Sequence, residues 1–141
     1  MPNHEHVVEV LREWIEKADN DLKNASHTLK LARECPVDTV CFHAQQCVEK
    51  YLKAALVLRN IPFPRTHDID KLCGLMPAID RPLLSITDQR RLTAYATVMR
   101  YPGDFQPITL TEARSSVALA RRIRKEIRAI LPSPALRRRP R

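Results

Sequence analysis

Apolar residues recur every three or four positions along most of this 141-residue chain. That spacing is typical of amphipathic helices with one face turned toward a core. The first apolar stripe covers about twenty-five residues before Pro36. It consists of Val7, Leu11, Trp14, Ile15, Ala18, Leu22, Ala25, Leu29 and Ala32. The pattern predicts a long first helix.

Prolines divide the rest of the chain into further helices. Four are predicted: Asp38 to about Asn60, a short one within 66–76, about Ser85 to Tyr101, and one that ends before Pro132. The expected N-caps are Asp38, then Thr66 or Asp68, and Thr109 or Thr111. The predicted fold is all-α, an up-and-down bundle of four or five helices over residues 1–131.

Glycine is scarce, with only Gly74 and Gly103 in the chain. This scarcity argues against β-hairpins and favours helices. It also excludes a dinucleotide-binding fingerprint or a P-loop, because both need several glycines at fixed spacing.

The net charge of +8 is concentrated at one end. Residues 1–120 balance to zero, whereas residues 121–141 contain nine basic residues and the single acid Glu126. Residues 132–141 are predicted to form a basic disordered tail. The arginines from residue 121 onward can bind RNA or DNA phosphates, or simply form a solvated tail that aids solubility.

The segment CFHAQQC, which begins at Cys41, raises the question of a metal site. On a helix, Cys41 and Cys47 lie about 120° apart, and only His43 and Cys47 can converge. A structural zinc site needs four ligands. We therefore expect no metal and no other cofactor, with Cys41 in the core, Cys47 at its border and the four cysteines present as reduced thiols.

Two polar rows follow this second helix. One row contains His43, Gln46 and Lys50, and its neighbour contains Gln45, Glu49 and Lys53. Glu49 and Lys53 are placed for an i,i+4 ion pair. Periodicity alone favours an ordinary solvated face for both rows, and a binding edge is the alternative.

Several segments together resemble the HEPN domain family. They are FHAQQCVEKYLKAAL, RTHDIDKL and MRYPGDF, with EWIEKADNDLKNA before them and TEARSSVALARRIRKEI after them. The resemblance covers roughly residues 10–130 and preserves the order of the segments. It implies a helical bundle that dimerises, often beside a minimal nucleotidyltransferase in a toxin–antitoxin pair. It also implies binding of a nucleotide or RNA.

Many proteins of this family are metal-independent ribonucleases that use an arginine and a histidine four to six residues apart. The family arginine matches Arg100, but the histidine position falls on Phe105, and no histidine follows His67. Cleavage of RNA needs a proton acceptor and a proton donor. Histidine suits both roles because its unperturbed pKa is about 6.5, whereas arginine stays protonated. His67 or His43 would have to supply this function from another element.

We therefore expect a binding and interaction module rather than an enzyme. The candidate ligand-binding residues are Arg100, Tyr101, Lys50, Gln46, Lys53, Arg65 and Asp104. The alternatives are a metal-independent endoribonuclease built on Arg100 and a purely structural helical adaptor. Arg100 can also cap its own helix, and Thr66, His67 and Asp68 can form a helix cap.

The expected partners are a second copy of the chain, a minimal nucleotidyltransferase, and a nucleotide or RNA. The polar start of the chain predicts no signal peptide, and no apolar run is long enough to span a membrane. These features predict a cytoplasmic protein.

Overall fold

The computed structural model describes residues 3–103 and 106–138. Six α-helices lie in these residues: α1 His4–Leu29, α2 Val37–Leu58, α3 Ile69–Leu75, α4 Ile86–Ala96, α5 Leu110–Arg128 and α6 Ser133–Leu136. Two 3₁₀ turns, Ala32–Glu34 and Val98–Arg100, follow α1 and α4. No strand occurs in the described part, so the predicted all-α bundle is confirmed.

Helix α2 is the centre of the bundle. Helices α1, α3, α4 and α5 all pack against it. Thirteen of its 22 residues are buried, and they lie on nearly every side of the helix. A helix that is apolar almost all round must be enclosed by its neighbours to be stable in water. The other long helices each bury a single stripe, such as Val117, Ala120, Ile123 and Ile127 in α5.

Side-chain and backbone caps fix where the helices begin and end. Asp68 accepts a hydrogen bond from Lys71 N, and Thr109 accepts one from Glu112 N, which selects one of each pair of expected caps. Asp38 is not a cap, because α2 begins at Val37 directly after Pro36 and Asp38 lies in its first turn. At its other end α2 closes with Asn60 in the left-handed region (φ 56°). The Ile61 N–H then bonds Leu56 O, a Schellman ending.

The expected helix from Ser85 to Tyr101 is shorter than predicted. Helix α4 stops at Ala96, and Thr97 leaves the helical region with φ −121° and ψ −97°. The 3₁₀ turn Val98–Arg100 continues the chain in a new direction. Arg100 therefore lies after a change of direction rather than in the last turn of a regular helix.

The segment predicted to be a disordered tail begins with ordered structure. Helix α6 packs on α1, with Ala135 buried. The Arg12 guanidinium donates to Pro134 O through Nε at 3.0 Å and through an Nη at 2.8 Å. The sequence does not reveal this helix, because two apolar residues beside arginines give too little periodicity to detect.

Candidate functional site

Arg100 lies against the aromatic ring of Phe42 in the first half of α2. The centre of its guanidinium is 3.9 Å from the ring centroid, a short distance for a cation–π contact. Arg100 is exposed, and within residues 3–103 and 106–138 it has neither an ion pair nor a side-chain hydrogen bond. The ring occupies the face of the guanidinium, while its N–H groups point outward from its edges. Among the described residues nothing pairs with these edge donors, and they are the groups through which an arginine binds a ligand.

Tyr101 follows directly and is 73% exposed. Its ring is therefore largely exposed and does not belong to the core. The predicted site residue Asp104, like Phe105, lies outside the described residues.

His43 lies next to the ring of Phe42 on α2. The rings of Phe42 and His43 meet edge to face, with centroids 5.4 Å apart. Gln46 is one turn further along the same face as Phe42. The structure thus brings Arg100 and His43 together at the ring of Phe42, whereas the Gln46 amide bonds Gln45. Phe42 is not among the site residues predicted from the sequence, although its i,i+4 spacing from Gln46 places the two residues on one face of the helix.

Lys50 is turned toward α1 instead. Its ammonium pairs with the Asp21 carboxylate, whose other oxygen lies 2.8 Å from His43 Nδ1. All three side chains are partly buried. Asp21 therefore ties the row of His43 and Lys50 to the first helix. It also orients the His43 ring, because a carboxylate beside one ring nitrogen favours a proton there.

The neighbouring row is not a solvated face. Gln45, Glu49 and Lys53 are 0%, 3% and 7% exposed. Glu49 lies 3.0 Å from the Lys53 ammonium and 2.7 Å from His67 Nδ1, and it accepts a hydrogen bond from Gln45 Nε2 at 3.1 Å. Because α2 is enclosed on nearly all sides, its polar row is buried with it.

Two aromatic rings cover the cation of this buried cluster. The Lys53 ammonium is 5.7 Å from the ring of Trp14 and 5.9 Å from that of Phe63. These ring contacts and the ion pair with Glu49 hold the Lys53 ammonium inside the protein. Arg65, in contrast, is exposed in the loop before α3. The four cations among the candidate ligand-binding residues, Arg100, Lys50, Lys53 and Arg65, therefore lie in four different environments.

The His67 side chain contacts the buried cluster only through its Nδ1 atom. Its side chain is 55% exposed, while Nδ1 contacts Glu49 and its backbone carbonyl accepts from Gln45 Nε2 at 3.2 Å. These contacts hold the loop before α3 against α2. Asp68 supplies the cap of α3, and Thr66 Oγ1 accepts from Asp68 N.

The cysteines are buried thiols. All four are unpaired and at most 9% exposed, including Cys47, which was expected at the edge of the core. Burial raises the pKa of Cys41 and of Cys73 to about 11, and it raises the pKa of Cys47 further. In the described part of the chain, no group of three or more His, Cys, Asp or Glu side chains is arranged to hold a metal. No helix among those residues is long and apolar enough to cross a membrane.

A cleft of about 430 Å³ lies between α4 and α5, lined by Asp88, Arg91, Leu92, Tyr95, Glu112, Ser115, Ser116, Ala118, Leu119 and Arg122. None of the predicted site residues lines it. The Tyr95 hydroxyl donates to Glu112 at 2.7 Å inside the cleft. Arg100, Phe42 and Tyr101, which together are called the Arg100 surface, therefore lie outside this cavity.

A family model described as the HEPN domain matches residues 11–130. The chain belongs to the HEPN domain family. A solved structure similar to this HEPN chain is the crystal structure of TT1696 from Thermus thermophilus, with 28% identity and a TM-score of 0.72. The match covers 86% of this chain and 98% of TT1696. No curated protein matches the chain.

Membership of the HEPN family supports a nucleotide- or RNA-related role at the level of the family. The matched residues include α2, the Arg100 turn and α5, so the surface around Phe42 lies within the family domain.

Proposed function

We propose that this HEPN chain is a binding module for a nucleotide or RNA, and that the ligand's phosphate binds at the Arg100–Phe42 surface. The observation that supports the proposal is the geometry of Arg100. Its guanidinium face is held by an aromatic ring while its edges carry no acidic partner among the described residues. An arginine fixed in this way presents a fork of donors that matches a phosphate.

Neighbouring side chains suit the rest of a nucleotide. Tyr101 is exposed and offers an aromatic face on which a base can stack. Gln46, one turn from Phe42, carries an amide that can bond a base or a sugar. That amide donates to Gln45 Oε1 at 2.7 Å, and it would have to leave this bond to reach a ligand. Lys53 is omitted from the proposed site because its ammonium is buried against Glu49.

The test is direct binding of ATP and of a short single-stranded RNA, measured by calorimetry and by fluorescence anisotropy. Arg100→Ala should weaken binding about tenfold to a hundredfold, because charged hydrogen bonds to phosphate contribute about 1.5–3 kcal/mol. Phe42→Leu should weaken binding less, since the charge stays but its support is lost. Arg90→Ala is the matched control, because Arg90 is an exposed arginine on α4 with only a long contact of 3.8 Å to Asp70. Equal affinities for Arg100→Ala and the parent protein would refute the proposal.

A ribonuclease is the second candidate function. It is favoured by the contact of Arg100 and His43 with the same ring, and by the hydrogen bond between His43 and Asp21. A histidine oriented by a carboxylate can exchange protons with RNA while Arg100 stabilises the phosphate. In EDTA, cleavage lost in both Arg100→Ala and His43→Gln but kept in His67→Gln would establish this activity. The same pattern would make the chain an enzyme rather than a binding module.

The quaternary state and protein partner belong to the proposal as well. We expect a homodimer, which light scattering would show as twice the chain mass. We also expect a minimal nucleotidyltransferase as partner, and co-purification of the two tests this. A purely structural adaptor would bind a protein partner but would show no affinity for nucleotide or RNA.

A further inference from the structure

A second cationic surface lies between α1 and α5. The two helices and the segment after α6 enclose a groove of about 260 Å³. Five cations line it: Lys23, Lys30, Arg121, Arg124 and Arg138. Neither Arg100 nor any other residue of the surface around Phe42 takes part.

The positive charge of this groove is hardly neutralised within the protein. Asp19 is the one carboxylate among the described residues that line it. That carboxylate already accepts hydrogen bonds from Arg124 at 2.9 Å and from the Tyr51 hydroxyl, and it lies 3.8 Å from Arg128. Within residues 3–103 and 106–138, Lys23, Lys30 and Arg138 have no ion pair. Such a concentration of one sign of charge attracts anions.

Part of the groove is held in a fixed geometry. Arg121 donates to Ser26 Oγ at 2.9 Å, which joins α5 to α1 across the groove. Arg124 is fixed in the same way by Asp19. These two guanidinium groups lose less conformational entropy when an anion binds than free side chains would. They form a preorganised wall, and the exposed side chains of Lys23 and Lys30 supply further positive charge from α1.

The length of the groove favours a strand of nucleic acid over a small anion. Its α1 wall extends from Asp19 to Lys30, about 16 Å at 1.5 Å per residue. Stacked nucleotides advance about 3.4 Å per phosphate, so the wall matches several successive phosphates. Arginine also binds phosphate bidentately, and arginines supply three of the five cations.

The fold itself brings the basic end of the chain to this place. Helix α5 runs antiparallel to α1, since Arg121 meets Ser26 and Arg124 meets Asp19. Helix α6 then packs near Arg12, and the chain returns so that Arg138 lines the groove. Three of the basic residues after residue 120, Arg121, Arg124 and Arg138, thus line the groove together with Lys23 and Lys30 of α1 and its C-terminal end.

We infer that the α1–α5 groove is a second binding site, separate from the Arg100 surface, for the phosphate backbone of single-stranded nucleic acid, independent of base sequence. Contacts of this kind confer affinity and salt dependence without reading bases. The Arg100 surface would bind one nucleotide unit, whereas the groove holds a stretch of strand.

The test measures binding of a labelled oligouridine RNA of about twelve nucleotides over a range of salt concentrations. The groove variant Lys23→Gln, Lys30→Gln, Arg121→Gln should weaken binding about tenfold or more at low salt. The slope of log K against log salt should fall by about two, because each phosphate contact on a single strand contributes about 0.7. The control variant Lys17→Gln, Arg33→Gln, Arg90→Gln removes the same charge from exposed positions outside the groove and should have a much smaller effect.

Further binding measurements identify the class of ligand that the groove takes. An oligoadenosine RNA of equal length should bind the parent protein with similar affinity, and ATP should compete poorly for the groove. Equal losses in the groove and control variants would overturn the inference, as would full displacement of the RNA by ATP or by an oligoglutamate peptide. Arg100→Ala separates this site from the proposed function. It should change ATP binding but leave the difference between the groove and control variants intact.

Discussion

At the scale of single residues, burial decides what each cation of this protein can do. Lys53 and Arg100 both lie against aromatic rings. Lys53 is 7% exposed and forms an ion pair with Glu49, whereas Arg100 is exposed on a short turn. A buried charge that is paired inside the protein serves the fold, and an exposed one that pairs with no described acid can serve a ligand.

Glu49 is the residue on which the buried cluster depends. Glu49→Leu removes the acceptor of Lys53, His67 and Gln45 together. The Lys53 ammonium then stays in an apolar site without a counter-charge, so the free energy of unfolding should fall by about 3–5 kcal/mol. Urea denaturation followed by circular dichroism measures this change.

A double variant separates lost charge compensation from lost packing. Glu49→Leu with Lys53→Met replaces both charges by apolar side chains of similar size and should recover most of the stability. Lys50→Met is the control for loss of a less buried lysine charge, because the Lys50 side chain is 20% exposed, so its removal should destabilise the protein less than Glu49→Leu does. A double variant no more stable than Glu49→Leu alone would contradict this account.

At the scale of elements, α2 is the helix against which α1, α3, α4 and α5 pack. Its C-terminus is tied to the segment after α3 by a bidentate pair, in which Arg59 Nε and Nη2 lie 2.6 and 2.8 Å from the two oxygens of Asp80. The Asp80 carboxylate is 1% exposed, and Arg59 is 42% exposed. The hydrogen bonds from Arg59 lower the pKa of Asp80 below its ordinary value of 3.8. The fold thus stabilises the charged form of this carboxylate.

The pair of Arg59 and Asp80 predicts how the free energy of unfolding depends on pH. Because the pKa of Asp80 is lowered on folding, its contribution is full above the unfolded pKa of about 3.9 and is lost as pH falls through the folded value. Arg59→Gln should cost about 1.5–3 kcal/mol at neutral pH, nearer the lower figure because Arg59 is partly exposed. The difference from the parent protein should shrink below about pH 4. Denaturant titrations at several pH values measure this.

Arg65→Gln supplies the control for that titration. Arg65 is an exposed arginine of the segment between α2 and α3, and no described acid pairs with it. Its removal should shift stability little and leave the pH profile unchanged. A difference between Arg59→Gln and the parent protein that stays constant from pH 3 to 7 would show that Asp80 is not the titrating partner.

At the scale of the whole molecule, the sequence predicts the bundle well and its polar interior poorly. Apolar periodicity and prolines locate the main helices, because both act locally along the chain. The burial of Gln45 and Glu49 depends on four other helices packing around α2, which no local pattern encodes. The contact of Arg100 with Phe42 likewise depends on the change of direction at Thr97.

The end of the chain is a second case in which tertiary contacts override a local signal. Residues 132–138 have the composition of a basic tail, yet Ala135 is 2% exposed and Leu136 packs on the core. Arg12 from α1 secures this segment through Pro134 O. Helix α6 therefore has a packing role, and Arg138 after it lines the groove between α1 and α5.

These two roles can be separated by comparing two variants. A chain that ends at Leu131 loses α6 and four arginines, and it should lose roughly 1–3 kcal/mol of stability through the burial and hydrogen bonds of α6. The variant with Arg137, Arg138, Arg139 and Arg141 all changed to Gln loses the same four charges but keeps α6. It should melt close to the parent protein while binding RNA more weakly and with a smaller salt slope. If it instead unfolds as easily as the shortened chain, the arginines stabilise the fold, and the packing of α6 is not what anchors the C-terminus.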